Sequence, residues 1–237
     1  MPWVYPAPDG GKGRADGRQL MHEIGQAFLL VYAGLFPIVN PVGNAPIFLA
    51  LTGNYTDRVR RDLARRIAVN GFVLLLGSLF VGSHVLQFFG ITIPVLRIAG
   101  GLVIAVFGWQ LLRDGVAVTS SPGQVDEDGP VDAFYPLTMP LTIGPGSIAV
   151  AIALGAQRPR GPASVERLAM LAGAAIGGLA AIAVTVFFCY RFADRMVAAL
   201  GASGINVLIR LSAFILLCIG IQIIWSGYSA LVGAPGH

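Results

Sequence analysis

The sequence has little charge. Of its 237 residues, 12% are charged and 55% are hydrophobic, whereas an ordinary soluble domain has about 25% charged residues. This composition excludes a water-soluble fold, because too few polar side chains are present to cover one. The charge-free runs are long, and a membrane-spanning helix needs about 20 apolar residues.

Cysteine is also scarce, with two residues in the chain. Cys189 and Cys218 both fall inside predicted spans, where they provide neither a disulfide framework nor the ligand spacing of a metal site. The sequence contains no His-Glu-x-x-His zinc motif and no phosphate-binding loop. We therefore predict no metal ion and no cofactor.

Residues for catalysis are equally scarce. Gly201-Ala202-Ser203-Gly204 matches the Gly-x-Ser-Gly motif of rhomboid intramembrane proteases, but a serine nucleophile needs a base within hydrogen-bonding reach. His84 is the one histidine within a predicted span, and it lies on a helix where that family does not place its base. We predict that the chain is not an enzyme and has no catalytic residues.

The charge-free runs predict an all-α integral membrane protein with six transmembrane helices. Arg97 and Arg210 interrupt two runs near one end, where a long side chain reaches the headgroups. Residues 72–76 (Phe-Val-Leu-Leu-Leu) are apolar on every side, unlike the alternating strands of a membrane barrel. The six helices are predicted near 24–52, 67–89, 92–112, 134–157, 168–190 and 206–230.

Two polar segments divide the chain. Residues 1–20 are rich in Gly, Pro and Asp without an apolar face, which predicts a disordered tail or an upstream extension of a protein that starts at Met21. Residues 113–132, with acidic residues at 126–128, predict a hydrophilic linker. The linker separates a first three-helix unit, residues 21–112, from a second one, residues 133–237.

The two units resemble each other in sequence. A shift of 112 residues pairs Gly108 with Gly220 and Gln110 with Gln222. Because each unit has three helices, the second would cross the bilayer with opposite polarity, which predicts a 3+3 inverted repeat. For the paired glutamines, a hydrogen bond between helices is the structural alternative to substrate contact.

The first helix of each unit contains proline and glycine at mid-span, in segments 37–46 (PIVNPVGNAP) and 140–147 (PLTIGPGS). Proline removes an amide donor and clashes with the preceding turn, and glycine lowers helix propensity, so we predict that helices 1 and 4 are broken. In hydrocarbon the freed backbone groups need partners from protein or a water-filled cavity. The paired breaks therefore predict one shared internal site.

The candidate substrate pathway combines residues at these breaks with the paired glutamines. Half-helix amino termini near Gly43 and Gly146 would offer free amides and a positive dipole end to a carboxylate. The structural alternative is that asparagines cap the half-helices and hydroxyls bond their own backbone. The candidates are Asn40, Pro41, Gly43, Asn44, Thr142, Gly144, Pro145, Gly146, Ser147, Gln110 and Gln222.

Three motifs, in this order, resemble the MarC family of bacterial inner-membrane proteins. They are 36–49 (FPIVNPVGNAPIFL), 89–102 (FGITIPVLRIAGGL) and 136–147 (PLTMPLTIGPGS), where the family usually has alanine in place of Ile143. The resemblance covers about residues 21–232. It implies a relation to LysE-type exporters and transport of small neutral amino acids, as described for some members, but no agreed set of functional residues.

Paired breaks in an inverted repeat are typical of secondary transporters. We therefore predict a transporter of small polar metabolites such as neutral amino acids, with a passive channel or a non-transport scaffold or assembly protein as alternatives. The predicted spans contain no acidic residue, so the usual carboxylate proton relay is absent. The sequence leaves open the coupling ion (Na⁺ or H⁺), the direction of transport and whether the chain forms a homo-oligomer.

Basic residues lie in short loops beside helix ends, which indicates orientation in a membrane rather than binding to nucleic acid. Without the tail, three arginines lie on the side of the termini and eight on the opposite side. We predict a bacterial cytoplasmic (inner) membrane protein with both termini outside the cytoplasm. Its expected partners are the lipid bilayer and a small polar substrate.

Overall fold

The computed structural model describes residues 12–114, 132–156 and 165–233. These ranges are almost entirely helical. The elements are α1 (Lys12–Val39), α2 (Pro41–Leu51), α3 (Asp57–Phe88), α4 (Ile93–Asp114), a π-helical segment (Leu137–Thr142), α5 (Pro145–Gly155), α6 (Val165–Arg191) and α7 (Ala193–Val232).

Five of the described stretches are long and apolar enough to cross a membrane. The all-helical membrane class is therefore confirmed, although the structure has five continuous spans where the sequence predicted six. The region of predicted helix 4 contains no continuous span, because Pro140 and Pro145 interrupt it. The five stretches are Met21–Val39, Asp57–Phe88, Ile93–Arg113, Val165–Arg191 and Ser203–Val232.

Both predicted breaks are present. Pro41 has no N–H to donate to the carbonyl four residues earlier, so α1 ends and Asn40 takes a left-handed conformation, with φ 46° and ψ 54°. At the second break Gly144 is extended, with φ −87° and ψ 172°, before α5 begins. Pro41 and Pro145 each occupy the first helical position, where a missing N–H costs nothing.

Two other features differ from the prediction. For residues 1–20 we predicted a disordered tail or an upstream extension; helix α1 begins at Lys12, so residues 12–20 are helical. Residues 1–11, and the linker from 115 to 131, lie outside the described residues. Inside α7, Gly201 has φ 63° and ψ 174°, a conformation open to glycine.

Helices α4 and α7 come into close backbone contact at glycine residues. A Cβ on Gly108 would lie 2.7 Å from the backbone N of Leu217, and one on Gly220 would lie 2.5 Å from the backbone N of Ala105. The shift of 112 residues carries Ala105 onto Leu217 and Gly108 onto Gly220. The two contacts are therefore images of each other under that shift.

The other helices surround the two breaks. Helix α1 packs on α6, α3 packs on α5 and α6, α5 packs on α4, and α2 packs on α7. The main core cluster draws buried side chains such as Leu35, Phe48, Ile67 and Leu179 from four of these helices. Large apolar side chains also cover the outer surface, which is the pattern expected of a protein surrounded by lipid.

Two ion pairs join the first unit to the second. Arg60, at the start of α3, contacts Asp57 and lies 2.9 Å from Asp194 at the start of α7. Near the other helix ends, the Arg167 guanidinium of α6 donates to Glu23 of α1 at 2.9 Å. Because α1 and α3 are joined by α2 and a short turn, these pairs lie toward opposite ends of the helices.

Candidate functional site

Asn44 connects the two helix breaks. Its Nδ2 donates to the Val39 carbonyl at 2.9 Å, in the first break, and to the Leu141 carbonyl at 3.0 Å, in the second. The Asn44 side chain is 2% exposed. The freed carbonyls of both broken helices thus share one buried amide, and residues distant in sequence meet at one place.

Asn40 caps α2 from its left-handed position. Its Oδ1 accepts a hydrogen bond from the Gly43 N–H at 3.2 Å, satisfying one of the amides that a helix start leaves without an intrahelical partner. A Cβ on Gly43 would overlap the Asn40 side chain, so this cap requires glycine at position 43. The capping role that we considered for Asn40 is therefore present.

Thr142 and Tyr190 extend the cluster toward α6. The Thr142 hydroxyl donates to the Leu137 carbonyl at 2.7 Å and lies 2.8 Å from the Tyr190 hydroxyl. The Tyr190 ring stacks on Phe48 of α2, with 4.6 Å between ring centroids. Tyr190 is not among the residues predicted from the sequence, because a tyrosine near the end of a span is most simply interpreted as an interfacial anchor.

The second break contributes mainly backbone contacts. The Ser147 hydroxyl donates to the Gly144 carbonyl at 2.8 Å, which is the structural alternative considered for that residue. A Cβ on Gly146 would overlap Ile104 of α4. Pro145 is exposed, whereas Gly146 and Ser147 are buried, so close packing on α4 accounts for the glycine.

Two buried polar atoms in the cluster have no hydrogen-bond partner among the described residues: Asn40 Nδ2 and Asn44 Oδ1. The two side chains are 9% and 2% exposed. Leaving such a group unpaired costs about 1–3 kcal/mol. The cluster therefore has one unused donor and one unused acceptor in an apolar interior.

Gln110 and Gln222 do not join the cluster. Both are exposed, on the outer surfaces of α4 and α7, and the structure shows no hydrogen bond between them. Their matching positions remain, but the structure does not bring them to Asn44. Periodicity could not place them, because the inside and the outside of a membrane protein are both apolar.

Small cavities flank the cluster. One is lined by Phe48, Tyr190 and the ion-pair residues Arg60 and Asp194, and the other by Thr142 with apolar side chains of α3 and α6. Each has room for about one water molecule. Neither cavity is therefore large enough, in this structure, to admit a metabolite to the cluster.

The described residues contain no group of three or more His, Cys, Asp and Glu side chains able to hold a metal ion. The two residues considered for proteolysis are also separated. Ser203 begins the span of α7, while His84 lies in the last turns of α3. The ion pair of Arg60 and Asp194 holds the starts of α3 and α7 together. Ser203 therefore lies toward that end of the helix bundle, and His84 lies toward the other end.

Residues 25–232 match the MarC family of integral membrane proteins. The chain belongs to this family. The match spans both breaks and every contact of the Asn44 cluster, and it confirms the resemblance drawn from the three motifs. It also makes the chain a membrane protein with several spanning helices.

Curated relatives carry the same family name. The chain is 32% identical over 219 residues to the inner membrane protein MarC of Salmonella typhimurium and to that of Salmonella paratyphi B. The MarC protein of Escherichia coli O1:K1 is 31% identical over 219 residues. Each alignment covers 90% of this chain and 98% of the relative, which supports the predicted inner-membrane location. No solved structure matches the chain.

Proposed function

We propose that the chain is a secondary transporter of small polar metabolites such as neutral amino acids, with its substrate site where the two helix breaks meet. The observation that carries the proposal is the Asn44 amide, which bonds Val39 in one break and Leu141 in the other. A purely structural contact between two spans does not require unpaired polar atoms. Here a buried donor and a buried acceptor are left unused.

The helix packing supports a six-helix 3+3 inverted repeat. In this arrangement the π-helical segment and α5 together form helix 4 and correspond to α1 and α2, while α3 corresponds to α6 and α4 to α7. The contact of α1 with α6 then corresponds to that of the π-helical segment with α3, and the contact of α2 with α7 to that of α5 with α4. All four contacts are present, and the glycine contacts between α4 and α7 match under the same shift.

The two ion pairs between the units fit an alternating-access cycle. Arg60 and Asp194 join the units at one end, and Glu23 and Arg167 join them at the other. Rocking one unit against the other would open one pair while the second stayed closed. The cluster around Asn44 would then face each side of the membrane in turn, without a catalytic step or a cofactor.

Flux of radiolabelled alanine and glycine into proteoliposomes tests the proposal. A secondary transporter gives saturable uptake that unlabelled alanine inside the vesicles accelerates, and imposed sodium or proton gradients identify the coupling ion. Flux that internal alanine does not accelerate would favour a passive channel. An absence of flux would favour a scaffold or assembly protein. Asn44→Ala should abolish uptake, whereas Asn206→Ala, at an exposed position of α7, should leave it unchanged.

A further inference from the structure

The orientation of each asparagine amide at the breaks is fixed by its neighbours. Asn44 must direct its NH₂ group to Val39 and Leu141, because both partners are carbonyls and accept hydrogen bonds. Asn40 must direct its oxygen to Gly43, because that partner is an N–H. Rotating either amide by 180° would set like groups against each other. The unused atoms are therefore Asn44 Oδ1 and Asn40 Nδ2.

The nearby hydroxyl groups of Thr142 and Tyr190 do not donate to Asn44 Oδ1. The Thr142 hydrogen is directed to the Leu137 carbonyl at 2.7 Å, so the Tyr190 hydroxyl is the donor in its 2.8 Å contact with Thr142. Both hydroxyl hydrogens are thus directed to other oxygens, and Asn44 Oδ1 has no partner in the described structure.

The two unpaired atoms, Asn44 Oδ1 and Asn40 Nδ2, favour ligand groups of opposite charge. Asn44 Oδ1 needs a donor, and a charged donor such as an ammonium group forms a stronger hydrogen bond than a neutral one. Asn40 Nδ2 needs an acceptor, and it lies at the amino terminus of α2, where the helix dipole favours negative charge. The Asn44 amide bonds the carbonyl of Val39, the residue immediately before Asn40, so the two side chains lie at the same break.

We infer that Asn44 Oδ1 binds the ammonium group of the substrate and Asn40 Nδ2 binds its carboxylate, so that the site selects a zwitterion. This inference rests on the proposed function and deepens it, because it states which groups a substrate must carry. An α-amino acid holds both groups on one carbon, so one molecule would satisfy both asparagines. The substrate enters when α2 and the π-helical segment separate, which releases the bond from Asn44 to Leu141.

A three-ligand comparison tests the assignment. L-alanine, propionate, which lacks the ammonium group, and ethylamine, which lacks the carboxylate, are each added to purified protein at pH 8, in sodium and in choline buffer. Thermal stabilisation of the protein reports binding, and competition with radiolabelled alanine uptake reports transport. We expect alanine to bind at least tenfold more tightly than either analogue in both buffers.

Asn40→Asp provides the sharper test. The aspartate keeps an oxygen to cap Gly43, since Asp and Asn are equally good caps, but it replaces the spare donor with an acceptor that repels a carboxylate. We expect alanine affinity to fall at least tenfold and ethylamine to bind more tightly than alanine. Asn54→Asp, which makes the same change at an exposed position in the turn after α2, should keep the wild-type preference.

Asn40→Ser keeps a capping oxygen and lacks the amide, so it repeats the test if the aspartate variant does not fold. With serine we expect at least a tenfold loss for alanine and no loss for ethylamine. Because each result is a ratio of two ligands in one variant, general instability cannot imitate it.

Three results would count against the assignment, and they are distinguishable. Alanine flux with an unchanged ligand preference in both Asn40 variants overturns the assignment and leaves the transporter intact. Propionate binding as tightly as alanine, in sodium but not in choline, means that Asn44 Oδ1 holds Na⁺ instead of ammonium. Neither binding nor flux of alanine or glycine in the wild-type protein removes the proposed function together with the inference.

Discussion

At the scale of single residues, Asn40 combines a left-handed backbone with a helix cap. Its φ of 46° is uncommon outside glycine and is most tolerated by Asn and Asp. Glycine accepts this conformation and is a tolerated cap, whereas alanine is unfavourable in both roles. The first break therefore depends on one position, where alanine and glycine should have very different effects on stability.

We expect Asn40→Ala to destabilise the protein by about 2–3 kcal/mol, the sum of about 1 kcal/mol for the cap and about 1–2 kcal/mol for a Cβ in the left-handed conformation. Asn40→Gly should cost only a few tenths of a kcal/mol. Thermal unfolding in detergent measures the difference. Equal melting temperatures for the two variants would show that the left-handed conformation contributes nothing to stability.

Asn44 and Thr142 could be chosen from the sequence because polar groups beside proline and glycine are conspicuous in an apolar span. Tyr190 could not, since its role depends on α6 lying beside both breaks, which no local pattern encodes. The exposed positions of Gln110 and Gln222 were hidden for a related reason. In a membrane the hydrophobic pattern does not separate lipid-facing residues from buried ones.

At the scale of elements, Pro41 and Pro145 define where the half-helices α2 and α5 begin. Both occupy the first helical position, where proline is favoured. The sequence led us to treat them as costly interior prolines, but in the structure their effect is to prevent the preceding helix from continuing.

We expect the double variant Pro41→Ala with Pro145→Ala to change stability by less than about 1 kcal/mol, because alanine is also tolerated at these positions. Alanine flux should nevertheless fall, because each helix gains a donor that allows it to continue through the break. Flux and surface abundance are measured together. Unchanged flux at normal abundance would remove the breaks from the transport mechanism.

The glycine contact between α4 and α7 gives a matched pair of substitutions. A Cβ at Gly108 or Gly220 would meet backbone nitrogen atoms, which cannot move aside as a side chain can. We expect Gly108→Ala and Gly220→Ala each to destabilise the protein by about 1–3 kcal/mol. Thermal unfolding in detergent should give similar losses for both.

Gly173→Ala is the control, because a Cβ there has nothing within 4 Å. In helix α6 this change should stabilise by roughly 0.5–1 kcal/mol. If Gly108→Ala melted at or above the wild-type temperature, α4 and α7 would not be in backbone contact.

Helix breaks were predictable, whereas several helix ends were not. Helix α3 begins at Asp57, about ten residues before the predicted span, because the arginine-rich segment continues the helix beyond the apolar run. Charged residues indicate where a helix leaves the hydrocarbon region, but the helix can continue beyond that point. The bend at Gly201 escaped notice because it is one of 31 glycines in the chain.

At the scale of the whole molecule, the eight arginines on one side predict the orientation. We expect Asn54→Cys, in the turn between α2 and α3, to react with a membrane-impermeant thiol reagent only after the inner membrane is opened. The two native cysteines are first replaced by alanine, and Gly233→Cys, after the end of α7, serves as the opposite-side control. Labelling of position 54 in intact spheroplasts would reverse the orientation.

The equal lengths of α2 and α5 bear on how the protein would limit ion leakage when no substrate is bound. Each half-helix has 11 residues and rises about 16 Å, roughly half of a 30 Å hydrocarbon core. Their amino termini would therefore meet near the middle of the bilayer, where two partial positive charges oppose the passage of a cation that has no carboxylate beside it. In the proposed transporter, this would oppose leakage of cations through copies that hold no substrate.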